Sequence, residues 1–479
     1  MTENRSLFEQ LHKHSQSDYY PYHMPGHKRQ ALGRLPQELL RLDITEIDGF
    51  DNLHQPEGII CEMQNRANML YGSDETYYLV NGSTCGILSA ISAALEVGGH
   101  LLMARGCHKS AYHGAYLREL KVSYLYADPV PGFDFDEAIT ARQVEEALDR
   151  HDDVGAVLIV SPTYEGRIAD VAAIAETVHK RGIPLIVDEA HGAHLGFAEG
   201  FAKSSCTQGA DLVIHSVHKT LPAMTQTALL HVNGSLIDRA RLKRFLHIYQ
   251  SSSPSYVLMS GIQDALQIVE NRKEELFTAF YRNYQEMYGK LQKCRHFRLI
   301  PFEDVVSCRQ DVGKLILSTT QSGHSGQWLY DVLREKYHLQ CEMSAGSYCL
   351  AMFTLADTIE AFERMTQAVL EIDAALDDER AGEDWSNLSE VCRIGQYPVV
   401  AYPLSEAWDQ PWELCALDDS VGKVAADFVN LYPPGVPLLV PGEVITDKMY
   451  EVLVAYQRMH LNIQGVVELD DGCFIRTLK

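Results

Sequence analysis

Positive charge is scarce in this 479-residue sequence. Lys and Arg number 41 against 65 Asp and Glu, for a formal net charge of −24. So acidic a surface repels nucleic acid and anionic membranes, and neither is expected as a partner. No window approaches the roughly 20 apolar residues of a membrane-spanning helix. The opening MTENRSLFEQLHKHSQSD lacks an apolar core, so a secretory signal is not expected and a cytoplasmic location is. The 11 cysteines contain no CxxC pair and their number is odd, which favours free thiols in a reducing compartment over a disulfide framework. The GxxxxGK[ST] and GxGxxG phosphate loops and the HExxH zinc pattern are missing too.

What is present is ordinary globular material, 46% hydrophobic and 22% charged, long enough for two or three domains. Residues 1–60 read as an irregular N-terminal arm rich in turn formers. From 61 to 255, short continuous apolar runs alternate with helical patterns. YYLV (77–80), HLLMA (100–104), AVLIV (156–160), PLIVD (184–188) and LVIHS (212–216) read as strands, and Asp170 to Lys180 as an amphipathic helix. Such runs predict a parallel sheet covered on both faces, in a doubly wound α/β domain. After SSSPSY a long helix is expected with Leu258, Ile262, Leu266 and Val269 on one face, opening a smaller α/β domain over 256–376. The charged stretch 377–390 reads as a linker, and 391–479 as a C-terminal domain.

The reactive residues gather at strand ends, where ligands sit in open α/β sheets. LVIHS delivers His218 and Lys219. A buried ammonium is costly unless paired or chemically consumed. PLIVD ends in Asp188, followed by Glu189, His191 and His194; this group could suggest a metal, but its spacing matches no closed site and no metal is expected. Asn81–Gly86 forms a glycine turn with Ser83 and Thr84 leading into a helix, which suits an anion and equally suits a plain capped helix. HLLMA is followed by His108. Pyridoxal 5'-phosphate unites these ends, because it needs an amine, a carboxylate under its ring nitrogen, a phosphate cup and a flat group over the ring. Lys219, Asp188, Ser83 with Thr84, Ser216 with His218, and His108 fill those roles in turn.

The motifs YHMPGHKR (22–29), DGFDNLHQPEG, NGST, CHKS, SPTYEG, VDEAHGAH, SVHKT and YPPGVPLLVPGE run over nearly the whole chain. Together they resemble the Orn/Lys/Arg decarboxylase family, enzymes with the aspartate aminotransferase fold. The resemblance implies Lys219 as the Schiff-base lysine, Asp188 on the ring nitrogen and His108 stacked on the ring. Thr84, Ser216 and His218 would lie around the phosphate and Ala190 under the ring, while Ser252 and Ser253 would reach the phosphate of a neighbouring subunit. It implies decarboxylation of a basic L-amino acid, arginine or lysine before ornithine, in polyamine or diamine metabolism. An aminotransferase or another pyridoxal-dependent lyase on the same fold is the alternative, and a cofactor-binding pseudoenzyme a third. Two departures from the family stand out. Only about 20 residues precede YHMPGHK, where large members carry a wing domain, so a homodimer or tetramer is expected rather than a decamer. Cys85 also stands where some relatives carry a hydroxyl, leaving the phosphate cup one hydrogen bond different. Glu443 is a candidate for the substrate's distal cation.

Overall fold

The structure is a computed structural model and describes residues 6–377, 398–432, 435–470 and 472–479. Apolar, β-branched runs bounded by turn formers become strands. In chain order these are β1 (Glu75–Leu79), β2 (His100–Ala104), β3 (Lys121–Leu125), β4 (Val154–Val160), β5 (Leu185–Asp188), β6 (Leu212–Ser216) and β7 (Ala228–Val232), all of one mostly parallel sheet. The expected runs 100–104 and 212–216 coincide with β2 and β6, while β1 begins two residues earlier than expected. β3 and β7 were not anticipated. β3 (KVSYL) is half-exposed and polar, and β7 runs antiparallel to both of its neighbours.

The chain divides into two units. The first comprises the residues up to Ala94, Val171–Glu199 and Lys203–Phe277. Its strands lie in the order β1-β7-β6-β5, with β5 and β6 parallel. The helix Gly82–Ala94 packs on β1, β6 and β7. A Cβ at Gly86 would stand 2.7 Å from Leu79 Cδ1 and 3.1 Å from Ile214 Cγ2, so a larger residue there would have to displace both side chains for the helix to lie this close to the sheet. The expected helix from Asp170 to Lys180 is Val171–His179.

The second unit comprises Leu95–Asp170, Gly200–Ala202 and Thr278–Lys479. It holds β4-β2-β3, which are parallel. Next come β8 (Lys314–Ser318), β9 (Met343–Ser344) and β10 (Tyr348–Met352), an antiparallel sheet in the order β8-β10-β9 with the helix Gly326–Tyr337 packed on it. The C-terminal segment adds β11 (Trp412–Ala416), β12 (Val429–Leu431), β13 (Pro437–Leu439), β14 (Ile463–Gln464), β15 (Val466–Leu469) and β16 (Gly472–Leu478) in two three-stranded sheets. Phe135, Leu350, Val452 and Tyr456 meet in one core cluster, and Val429, Leu439, Leu453 and Ile475 in another.

The helix Tyr256–Leu291 starts straight after SSSPS. Ile262, Leu266 and Val269 are buried on it as expected, whereas Met259 takes the buried place expected of Leu258. Of the expected linker 377–390 only Asp377 is described, paired with Arg295 and His296; residues 378–397, Cys392 among them, lie outside the described residues, as do Pro433 and Pro434. Among the described residues no helix is long and apolar enough to cross a membrane.

Candidate functional site

Because β5 and β6 are parallel neighbours, their carboxyl ends deliver side chains on one side of the first unit. β5 ends at Asp188, and β6 ends at Ser216 before the single turn Val217–Thr220. That turn carries Lys219, half-buried, with its Nζ 3.1 Å from His191 Nε2. Asp188 is 4% exposed and its Oδ1 accepts from the Ala190 amide at 3.2 Å. Burial pushes its carboxyl above the usual carboxylate range, and the Lys219 charge opposes that push. Lysine and carboxylate are thus close enough to feel each other, in a place where a charge needs a partner.

The helix Gly82–Ala94 follows β1 directly. Gly82 adopts φ +73°, and Ser83 and Thr84 stand in the first turn, where amide groups lack intrahelical acceptors. Cys85 does not join them. Its thiol donates to the Gly82 carbonyl at 3.0 Å and burial pushes it up to about 12. Ser216 Oγ is fully buried and has no hydrogen-bond partner among the described residues; Thr220 Oγ1 is in the same position. An orphaned buried hydroxyl costs about 1–3 kcal/mol, so these two atoms fit a group supplied from outside the chain. His218 donates from Nδ1 to the Thr227 carbonyl at 2.8 Å, leaving Nε2 for an anion. Burial lowers the ring's proton affinity, so a bound anion is what would let Nε2 donate. These residues fit a phosphate-bearing carbonyl cofactor.

Ala190 is buried beside Asp188. Ser252 and Ser253 are exposed, and their loop is not remote from its own helix end, since the Ser251 amide donates to Asn81 Oδ1 at 3.2 Å. The structure therefore brings Lys219, Asp188, Ala190, Ser216 and His218 into one unit with Ser83 and Thr84. His108 belongs to the second unit, where it caps the helix Lys109–Leu117; its Nδ1 accepts from the Ser110 amide at 3.2 Å. Glu443 departs from expectation. It is 1% exposed and its carboxylate is taken by Arg105, with Nε–Oε1 at 3.2 Å and Nη2–Oε2 at 2.9 Å, and by the Val440 amide, so nothing remains for a substrate cation. Sequence reasoning saw His191 only as a weak metal candidate. Its place three residues past Asp188, on a turn facing the lysine strand, was the available signal.

Known proteins resemble this chain in sequence and in fold. The sequence pattern described as Orn/Lys/Arg decarboxylase, major domain, matches residues 5–311, and that of the family's C-terminal domain matches 397–468. The uncharacterized protein YaaO of Bacillus subtilis (strain 168) is 31% identical over 98% of this chain and 97% of its own length. The arginine decarboxylase of Halalkalibacterium halodurans is 28% identical over 100% of this chain and 97% of its own. Among solved structures, the lysine decarboxylase LdcF of Francisella novicida superposes with a TM-score of 0.83 at 16% identity, covering 99% of this chain and 81% of that one. Fold and sequence together define an α/β amino acid decarboxylase. The chain belongs to the Orn/Lys/Arg decarboxylase family, as its motifs implied.

Proposed function

We propose that this enzyme decarboxylates a basic L-amino acid with pyridoxal 5'-phosphate attached at Lys219. The observation that carries the reading is the meeting of Lys219 with His191 beside the buried Asp188 at adjoining strand ends. When bound, pyridoxal phosphate supplies a carbonyl for amines and a sink for the electron pair left behind as CO2 departs. The chain does the rest. With the cofactor bound, the Asp188 carboxylate would keep the ring nitrogen protonated, and Lys219 Nζ would hold the cofactor and supply the proton that the reacting carbon takes up. The amides at the start of Gly82–Ala94, with Ser83, Thr84, Ser216 and His218, would hold the phosphate, and Ala190 and His108 would hold the ring. Orienting the substrate's carboxylate-bearing bond would be the protein's main contribution to which bond breaks.

The substrate is arginine or lysine ahead of ornithine. The name of the H. halodurans relative, similar over the whole chain, favours arginine. The products are CO2 and agmatine or a diamine, in cytoplasmic polyamine metabolism. The exposed Ser252 and Ser253 serve a partner's phosphate in a homodimer, which light scattering of active enzyme tests. The large cofactor domain spans 61–255, the small domain 256–376 and the C-terminal domain 391–479. Mass spectrometry of reactions with arginine, lysine, ornithine, aspartate and glutamate tests the reaction. One of the basic three should give its amine with stoichiometric CO2; consumption of an acidic amino acid alone, or amine without CO2, overturns the proposal.

A further inference from the structure

Behind Asp188 and Lys219 runs a file of buried polar side chains that the proposed chemistry does not use. Glu189, the residue after Asp188, is 1% exposed. Its Oε1 accepts from Ser204 Oγ at 3.0 Å and from His215 Nε2 at 2.8 Å; its Oε2 accepts from the Ser205 amide at 2.9 Å and from Ser205 Oγ. With a carboxylate as acceptor, His215 carries its proton on Nε2. Its Nδ1 then accepts from His231 Nε2 at 3.0 Å, and His231 Nδ1 in turn accepts from Thr76 Oγ1 at 2.8 Å. Burial and the neighbouring His215 hold His231 well below the usual histidine range, so it is neutral in this file. The chain crosses β1, β7 and β6 and ends on the turn after β5. Tyr71 lies against both imidazoles, at centroid distances of 4.8 and 4.7 Å, and Cys206 is the other titratable group beside them.

Cys206, His215 and His231 place their ligand atoms within 4.8 Å of one another. A metal is not needed to explain them. The two facing nitrogens are already bonded to each other, and each outer nitrogen has its own oxygen partner.

Resting on the assignment of Lys219 and Asp188 above, we infer that Glu189 and His215 are positioning residues, whose hydrogen bond clamps the strand end bearing Asp188 to the strand end bearing Ser216 and Lys219. Glu189 is peptide-bonded to Asp188, and His215 to Ser216. A buried carboxylate that loses a donor must find another, and the accessible way is to move its own turn, taking Asp188 with it. Ser204 and Ser205 supply the remaining donors, so the turn is held from both sides.

The test uses two substitutions that split the imidazole's two bonds. His215→Gln places an amide N–H near the former Nε2 and keeps the bond to Glu189; His215→Asn places its amide near the former Nδ1 and drops that bond. In holoenzyme with saturating pyridoxal phosphate, H215N should lose at least tenfold in kcat with KM within threefold of wild type. The pH midpoint of its cofactor absorbance band should also move by half a pH unit or more. H215Q should return to within threefold in kcat and restore the midpoint. If H215N does not fold, Ser205→Ala removes one donor to the same carboxylate and should show the same signature at about threefold. Equal losses in H215N and H215Q, or an unmoved midpoint in H215N or S205A, overturn the inference. Stoichiometric zinc in the purified wild type overturns it too, since the ion would take the two facing nitrogens. A wild type with no absorbance band and no cofactor on Lys219 overturns the cofactor reading itself, and this inference with it.

Discussion

Lys219 Nζ stands 3.1 Å from His191 Nε2. An ammonium only donates, so His191 meets it as an acceptor and carries its own proton on Nδ1. Replacing His191 with Ala removes this acceptor without touching the strand cores. The expected result is a fall in kcat of about tenfold, equal to about 1.4 kcal/mol of transition-state stabilisation, with cofactor still bound. Stopped-flow absorbance and steady-state kinetics check it; unchanged kcat across pH removes His191 from the site.

Borohydride treatment of holoenzyme should fix a pyridoxyl group on Lys219 and on no other lysine, and Lys219→Ala should bind cofactor loosely and turn over at least a thousandfold more slowly. Peptide mapping reads the first outcome and product formation the second. Label elsewhere would move the site.

Asp188→Asn replaces a carboxylate that burial already pushes toward its protonated form. The amide cannot hold a proton on the ring nitrogen, so decarboxylation should fall by a hundredfold or more while the circular dichroism spectrum stays that of the wild type. Near-normal turnover would take Asp188 out of its role.

Arg105 and Glu443 form a buried ion pair in the second unit, with side chains 7% and 2% exposed. Arg105 also donates to the carbonyls of Pro437 and Leu438, at 2.7 and 3.1 Å, and to Tyr112. Removing one partner strands a charge, and Glu443→Ala should destabilise the protein by about 3–5 kcal/mol. The double variant with Arg105→Met should be less destabilised than the sum of the single ones; chemical denaturation of all three measures the coupling.

Asp134, with Glu165, lines a cavity of about 230 Å³ in the second unit, and burial pushes its carboxyl up to about 6. The unfolded chain would titrate this group near 3.9. Between about pH 4 and 6 the folded state therefore holds the extra proton, and this group's contribution to stability falls as pH rises through that window. A gap of about 2 in pKa corresponds to roughly 3 kcal/mol. Asp134→Asn still accepts from the Ser347 amide but has no proton to lose, so its stability relative to wild type should rise from pH 4 to 6 by that order. Urea melts at three pH values within the window decide; a constant difference contradicts the assignment.

The strands that carry the site were legible because they are short, continuous and apolar. HLLMA and LVIHS contain little that could be anything but buried strand, and a lysine three residues past the second of them raised a charge problem with one good chemical answer. β3 escaped because Lys121 and Ser123 break its apolar run, and β7 because an antiparallel strand leaves no crossover helix to announce it. Contacts set by tertiary distance were out of reach. Nothing in the order of residues says that His215 meets His231, or that Glu443 faces Arg105 rather than a substrate. Glu443 looked available because a distal cation calls for a carboxylate; its cationic partner sits 338 residues upstream.

That separation also has a meaning in time. On the ribosome Arg105 emerges long before Glu443, and at about 5–20 residues per second the interval is roughly 20–70 s. The carbonyls of Pro437 and Leu438, which the guanidinium also binds, arrive equally late. For that interval the nascent segment around β2 carries a cation whose burial site does not yet exist, so it must keep Arg105 hydrated and its own packing open. Residues 437–443 thus complete the burial of a cation that was made 338 positions earlier.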